Sequence, residues 1–198
     1  LSARAQKAGY ICALAEGAYV YHVEQASRRG LKGASRIYSR NRELFEKKWG
    51  RILRLLYSDA SDGAGSRAPG YYGNMKAIAR QRAFVEYWVR PGKFERDPLR
   101  GLDFRKTVRH ADVRLRVPGR RAYGLSILWK VLTKKKKFDA VILDKGTLAF
   151  ILRGLKGMHG AEVFVKEGAS SLEAAGGRRF DLNEPAPLAE YLRDGNDE

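Results

Sequence analysis

The sequence has a single cysteine, Cys12, among 198 residues. One thiol cannot form an internal disulfide, which excludes the class of disulfide-stabilised secreted domains and favours a reducing compartment. Long apolar runs are missing too, since none reaches the roughly 20 residues that a membrane-spanning helix requires. Of the three histidines, His110 and His159 have no partners at the spacing of metal ligands, so we interpret them as structural or surface residues.

Acidic residues are the minority charge, with 22 aspartates and glutamates against 39 lysines and arginines, which gives a net charge of +17. Such an excess attracts nucleic acid, anionic lipid headgroups or phosphorylated small molecules. The basic residues are spread along the whole chain, so solvated faces of a basic protein explain them equally well. The four lysines 134–137 follow a predicted helix and are better explained as a solvated helix end that complements the dipole, although they could also touch an anionic partner.

The first fifty residues begin with a helix and a short strand. Residues 1–8 have the periodicity of an amphipathic helix, and Gly9 is expected to close it in the left-handed conformation. Residues 18–22 are predicted to form a short apolar strand that ends on His22. A histidine in that position is a candidate ligand for a metal or a diphosphate oxygen, although one such residue alone is more often a packing or surface residue.

A basic loop separates this strand from a second helix. The helix is predicted to begin at a serine cap, Ser35 or Ser39, and to end at Gly50. Four apolar side chains recur on one side of it at helical spacing, and we expect them to pack into a core. They are Ile37, Leu44, Phe45 and Trp49.

The order of these segments resembles the C-terminal end of the catalytic domain of bacterial family 2 glycosyltransferases, which have the GT-A fold. The resemblance rests on Ala-Gly-Tyr at 8–10, the apolar strand ending in Tyr21-His22, the basic loop, and Arg-Asn-Arg-Glu-Leu-Phe-Glu-Lys-Lys-Trp-Gly at 40–50. It covers residues 1–50, a quarter of the chain. Such enzymes transfer a sugar from a nucleotide-sugar donor to a glycan or lipid-linked acceptor, as in the synthesis of cell-envelope polysaccharides.

The resemblance also implies roles for particular residues. It places His22 beside the donor diphosphate and its metal, a divalent cation such as Mg²⁺ or Mn²⁺. The basic loop, with Arg28, Arg29 and Lys32, could close over the diphosphate, and a solvated loop is the alternative interpretation. The implied location is the cytoplasm, peripherally at the inner face of the cell membrane, where an anionic surface would attract the chain.

Three parts of the family pattern do not occur in this sequence, namely the nucleotide-binding half, the Asp-x-Asp metal motif and the acidic catalytic base. No catalytic residue is therefore expected in this chain, and we expect the 198 residues alone to be inactive as a transferase. Leu1 is not an initiator methionine. We accordingly expect a chain that is truncated on its N-terminal side.

The remaining residues are predicted to form a strand and linker at 51–73 and a small α/β domain at 74–198. From residue 51 onward strands and helices alternate, among them a strand predicted at 83–89 and a helix predicted at 123–134. This pattern is typical of a mostly parallel sheet covered by helices. The predicted fold class is thus α/β, a C-terminal remnant of a GT-A domain followed by a small Rossmann-like domain with a mostly parallel, three-layer sheet.

Two features of this second region could carry chemistry. The Gly- and Ser-rich stretch 58–66 could cradle phosphate, but it matches no phosphate-binding motif and is better explained as a linker. Asp144 follows a predicted strand at the position where α/β sheets place ligands, and a turn-forming aspartate explains it equally well. The alternative function is a basic α/β module that binds nucleic acid or another protein without catalysis, although nucleic acid is not favoured because no recognised binding motif is present.

Overall fold

The structure is a computed structural model that describes residues 4–5, 8–10, 33–60, 71–90, 112–133, 137–144, 146–168 and 170–195. The chain divides into two compact units, Leu1–Arg51 and Ile52–Glu198. The first unit contains helix α1, Ala34–Trp49. Gly9 has a φ of 85° directly after a helical turn, which confirms the predicted left-handed stop.

Helix α1 differs from its prediction at the start and on its apolar side. It begins after Gly33, whose φ of 82° reverses the chain, and no side chain caps it. The predicted serine cap is therefore wrong, because Ser35 and Ser39 both lie inside the helix. The expected core packing of the apolar stripe is also not observed, since α1 has no buried residue and Phe45 is 44% exposed. The predicted end is confirmed, because Gly50 follows the helix with a φ of 76°.

The second unit contains a sheet and helices on both of its faces. In the described part its elements are β1 (Leu53–Asp59), α2 (Tyr71–Arg80), β2 (Ala83–Val89), β3 (Val113–Arg116), a 3₁₀ turn (Arg120–Ala122), α3 (Tyr123–Thr133), β4 (Ala140–Leu143), α4 (Thr147–Gly154), α5 (Lys156–His159), β5 (Glu162–Lys166), β6 (Ser171–Glu173), β7 (Arg179–Asp181) and α6 (Ala186–Asp194).

The sheet has the strand order β3-β2-β1-β4-β5-β6-β7. Strands β1 to β5 pair in parallel, whereas β6 and β7 are added at one edge in antiparallel orientation. The interior strands β1 and β2 are buried along almost their whole length, which is typical of parallel strands covered on both faces. The edge strand β3 alternates valine and leucine with two arginines and is only half-buried.

Alternation along β1 sends its side chains into two hydrophobic clusters. Leu53, Leu55 and Tyr57 join the cluster beneath α2 and α6. Leu56 joins the cluster on the opposite face, beneath α3 and α4. The result is a sheet between two helix layers.

The predicted α/β class with a mostly parallel sheet is confirmed, and the arrangement is compatible with a Rossmann-like fold. The stretch predicted as strand and linker contributes β1 to the middle of this sheet. The hairpin of β6 and β7 was not predicted, because its strands are three residues each and too short for a periodic signal. Among the helices in the described part, none has both the length and the apolar content that would be needed to cross a bilayer.

Candidate functional site

Polar side chains collect where the parallel strands end. Ser58 and Asp59 close β1, Asp144 follows β4, and Lys166 closes β5. Because these strands are parallel neighbours, their carboxyl ends lie along the same edge of the sheet. From β1 the chain adds β2 and β3 on one side, and it then crosses over to add β4 on the other side of β1. The gap between β1 and β4 is therefore the point where the strand order reverses. Open α/β sheets bind their ligands at this point.

An ion pair between a buried lysine and a partly exposed aspartate fixes these strand ends to each other. The Lys166 ammonium is 4% exposed and lies 2.6 Å from Oδ1 of Asp144. It also donates a hydrogen bond of 2.8 Å to the Ser58 carbonyl and lies 4.9 Å from the centre of the Tyr57 ring. The backbone amide of Ala60 donates to Oδ2 of the same aspartate at 2.8 Å. Both charges are therefore compensated, as a buried lysine requires.

Tyr123, the first residue of α3, connects this helix to the same edge of the sheet. Its hydroxyl donates to the Trp88 carbonyl at 2.9 Å and lies 2.9 Å from the Ser58 hydroxyl. Burial raises the pKa of the Tyr123 hydroxyl well above its usual range, and the hydrogen bond with Ser58 opposes this only in part. The phenol is thus a neutral, structural group that fixes where α3 begins.

A second buried pair joins the end of β1 to β2. The Tyr87 hydroxyl donates a hydrogen bond of 2.7 Å to Oδ2 of Asp59, which is fully buried. This carboxylate is engaged within the sheet and does not line the open space above it.

An open cavity of about 330 Å³ lies above the β1 and β4 ends. Arg90, which follows β2, lines it together with Arg120 and Arg121 from the 3₁₀ turn. Among the described residues that line the space, Asp144 is the only acidic one, and it is already paired with Lys166. We call this space the arginine cavity after its three arginines.

The N-termini of two helices complete the lining. Tyr123 and Gly124 come from the start of α3, and Thr147 and Leu148 come from the start of α4. The first amides of a helix such as α4 have no intrahelical acceptor, and the helix dipole makes this end positive. In α3 the amide of Tyr123 already donates to the Arg120 carbonyl of the 3₁₀ turn, so this helix contributes mainly through its dipole. Gly146, which precedes α4, has a φ of 146°, a backbone conformation that is strained for residues with a side chain. Glycine adopts it at little cost, so the chain can turn into α4 there. The lining is therefore suited to an anion.

The four site residues predicted from the resemblance, His22, Arg28, Arg29 and Lys32, lie outside the described residues.

Trp49 is half-buried on α1, with the ammonium of Lys48 5.6 Å from its ring centre. No group of three or more histidine, cysteine, aspartate or glutamate side chains that could hold a metal occurs in the described part of the chain.

The residues singled out in the second region have clear positions. Asp144 lies in the arginine cavity, as its strand-end position suggested. Ser58 and Asp59 belong to β1 and are buried, so the start of the supposed linker is strand. His159 is structural, because its Nδ1 accepts the Ala161 amide at 3.0 Å and its Nε2 lies 2.9 Å from the Leu152 carbonyl.

Sequence reasoning missed the arginines of the cavity and Lys166. Each arginine lies in a stretch that reads as irregular or basic, and the chain carries 39 lysines and arginines in all. The signal that identifies them is positional, since Arg90 directly follows a parallel strand and Arg120 and Arg121 directly precede a helix. Comparison with protein-family models, with curated proteins and with solved structures found no match for this chain.

Proposed function

We propose that the second unit binds the phosphate groups of a small anionic ligand in the arginine cavity. The observation that carries this proposal is the meeting of three arginines and two helix N-termini at the reversal point of a parallel sheet. Guanidinium groups bind phosphate with two parallel hydrogen bonds, and helix amides add further donors.

The size of the cavity limits the ligand. Its volume of about 330 Å³ is at the small end of the range for ligand pockets, about 300–1,000 Å³. A diphosphate with one attached group fits this range better than an extended polymer. The second unit is thus proposed as a binding module for a phosphorylated small molecule.

The glycosyltransferase assignment is the wider proposal for the chain. It is supported by the order of motifs in residues 1–50. The two proposals agree in chemistry, because nucleotide-sugar donors and lipid-linked sugars both carry phosphate groups of the kind the arginine cavity suits. A cytoplasmic location belongs to this proposal, as does Mg²⁺ or Mn²⁺ bound to the donor diphosphate, for which the described residues offer no ligand set.

The test measures binding of inorganic pyrophosphate and of uridine diphosphate by calorimetry. The double variant Arg120→Gln/Arg121→Gln removes two charges from the lining without altering the backbone. It should weaken the binding of both probes at least about tenfold, because each charge-assisted hydrogen bond contributes about 1.5 kcal/mol or more and about 1.4 kcal/mol is a factor of ten.

The matched control is Arg36→Gln/Arg40→Gln, which removes the same charge from exposed positions on α1. It should leave binding unchanged. An equal loss in both double variants would mean diffuse attraction to a basic protein, and would contradict a specific site. Tighter binding of uridine diphosphate than of pyrophosphate would support the glycosyltransferase proposal as well.

A further inference from the structure

One helix layer of the second unit presents large apolar side chains to solvent. Leu125 is 71% exposed, Trp129 73%, Phe150 80% and Met158 62%. Single exposed apolar residues are common on protein surfaces, but a group of four large ones on adjoining helices marks an interaction site. We call these four residues the apolar patch.

The helical repeat explains why the patch faces outward. Tyr123, Ile127 and Val131 form the buried side of α3. Leu125 and Trp129 are each two positions further on, about 200° around the helix axis, so they face away from the sheet. Helix α3 packs against both α4 and α5, which carry the other two members of the patch. All four side chains therefore belong to the outer side of one helix layer.

The charge of this layer has one sign. Helices α3, α4 and α5 contain no aspartate or glutamate, whereas they carry Lys130, Arg153 and Lys156. The acidic partners of the two lysines, Glu86 and Glu162, come from strands and are largely buried. Arg153 likewise donates a hydrogen bond to the carbonyl of Glu173. The layer therefore presents apolar side chains to solvent, holds its basic side chains against the strands, and contributes no acidic residue of its own.

A further lysine lies at the edge of the patch. The Lys137 ammonium donates a hydrogen bond of 3.2 Å to the carbonyl of Met158. It is an exposed residue, so its charge is directed to solvent beside an exposed methionine. Positive charge thus borders the patch at Lys137, and no acidic residue of the three helices opposes it.

We propose that the apolar patch is a docking surface for a membrane that contains anionic lipids. Tryptophan, phenylalanine and leucine side chains insert at the level of the headgroups, while flanking lysines and arginines bind anionic headgroups. A second copy of this chain suits the surface less well, because two layers without acidic residues in a protein of net charge +17 would repel each other. Nucleic acid would use the lysines but gains nothing from exposed Leu125 and Met158. The proposal does not depend on the ligand of the arginine cavity.

The experiment measures sedimentation of the 198-residue chain with vesicles of phosphatidylcholine alone and of phosphatidylcholine with phosphatidylglycerol in equal amounts. We expect binding to the anionic vesicles, weakened by salt, and little binding to the neutral ones. The variant Trp129→Ser/Phe150→Ser should bind anionic vesicles about tenfold or more weakly, because it removes the two aromatic side chains that insert.

The control variant is Tyr10→Ser, which removes an aromatic residue of similar exposure, 71%, from the first unit. It should bind vesicles as the unchanged chain does. Both variants should keep the circular dichroism spectrum and the melting temperature of the unchanged chain, since the substituted side chains are exposed. Fluorescence gives a local readout, because the emission of Trp129 should shift to shorter wavelength on binding and this shift should be absent from the double variant.

Three results would overturn the proposal. One is equal vesicle binding by the double variant and the unchanged chain. Another is binding to a DNA duplex that is lost in the same double variant, which would identify a nucleic-acid surface. The third is a dimer of the unchanged chain that the double variant does not form.

Discussion

At the residue scale, the polar groups at the carboxyl edge of the sheet serve two purposes. Asp144 and Lys166 compensate each other and hold three strand ends in register. The arginines of the cavity line open space and are suited to an external anion. The paired groups therefore provide the scaffold on which the binding groups are held, which keeps the lining in place before a ligand arrives.

The Tyr123 hydroxyl gives a pH-dependent prediction. Its pKa is raised in the folded protein above the value of about 10 for an unfolded tyrosine. Above that pH the unfolded chain loses the phenol proton while the folded protein keeps it. This tyrosine should therefore lower the free energy of unfolding by up to about 1.4 kcal/mol per pH unit as the pH rises above about 10.

The variant Tyr123→Phe lacks this contribution. At neutral pH it should be about 1–3 kcal/mol less stable than the unchanged chain, because the hydrogen bonds to Ser58 and Trp88 are lost. Urea unfolding of both proteins, below and above pH 10, measures the difference in the free energy of unfolding. That difference should shrink at high pH, and a constant difference would show that the phenol does not stay protonated in the folded state.

Asp144 was predictable as a residue at the end of a strand, whereas its partner was not. Lys166 is one of 39 basic residues, and nothing in the local sequence separates a buried lysine from a solvated one. Its burial follows from the pairing of β5 with β4, which is a feature of the tertiary structure and cannot be read from neighbouring residues. Long-range pairing of this kind decides which charges face a cavity and which lie inside the sheet.

At the element scale, strong periodicity predicted helices and strands well. Strand β2 occupies the residues predicted for it, 83–89, and α3 matches its prediction to within one residue at its end. Helix α1 has equally clear periodicity but buries none of its side chains. Periodicity therefore identifies a helix and its apolar side, but the packing partner decides whether that side is buried.

Two substitutions on α3 test the assignment of its two sides. Ile127→Ala should cost about 2–5 kcal/mol in the free energy of unfolding, because the side chain is fully buried in the cluster above the sheet. Leu125→Ala should change it by less than about 0.5 kcal/mol, because that side chain belongs to the exposed apolar patch. Chemical denaturation measures both, and equal costs would contradict the orientation of α3.

At the scale of the whole molecule, the described hydrophobic clusters both lie within residues 53–192. The division of the chain falls between residues 51 and 52. We therefore expect a chain of residues 52–198 to fold alone, with a single cooperative transition and a melting temperature within a few degrees of the full chain, about 3 °C or less. Circular dichroism and calorimetry measure it, and a chain of 52–198 without a cooperative transition would contradict this prediction.

The general architecture could be predicted from alternation of strands and helices, but the position of the arginine cavity could not. That position depends on β1 lying between β2 and β4, and the strand order leaves no local trace in the sequence. The four residues predicted by resemblance belong to a different stretch of chain, residues 22–32, so the resemblance gave no information about the second unit.

The central place of β1 also affects how the protein is made. The backbone amide of Arg54 in β1 donates a hydrogen bond to the carboxylate of Asp139, which precedes β4 and lies 85 residues further along the chain. At a synthesis rate of about 5–20 residues per second, one side of β1 stays without its neighbour for several seconds after it leaves the ribosome. Strands β2 and β3 both precede β4 in the chain, so we expect the half-sheet of β1, β2 and β3 to form first. We therefore expect the edge of β1 that later pairs with β4 to be the part of the nascent chain most prone to incorrect strand pairing. A chaperone that covers this edge would protect the chain best.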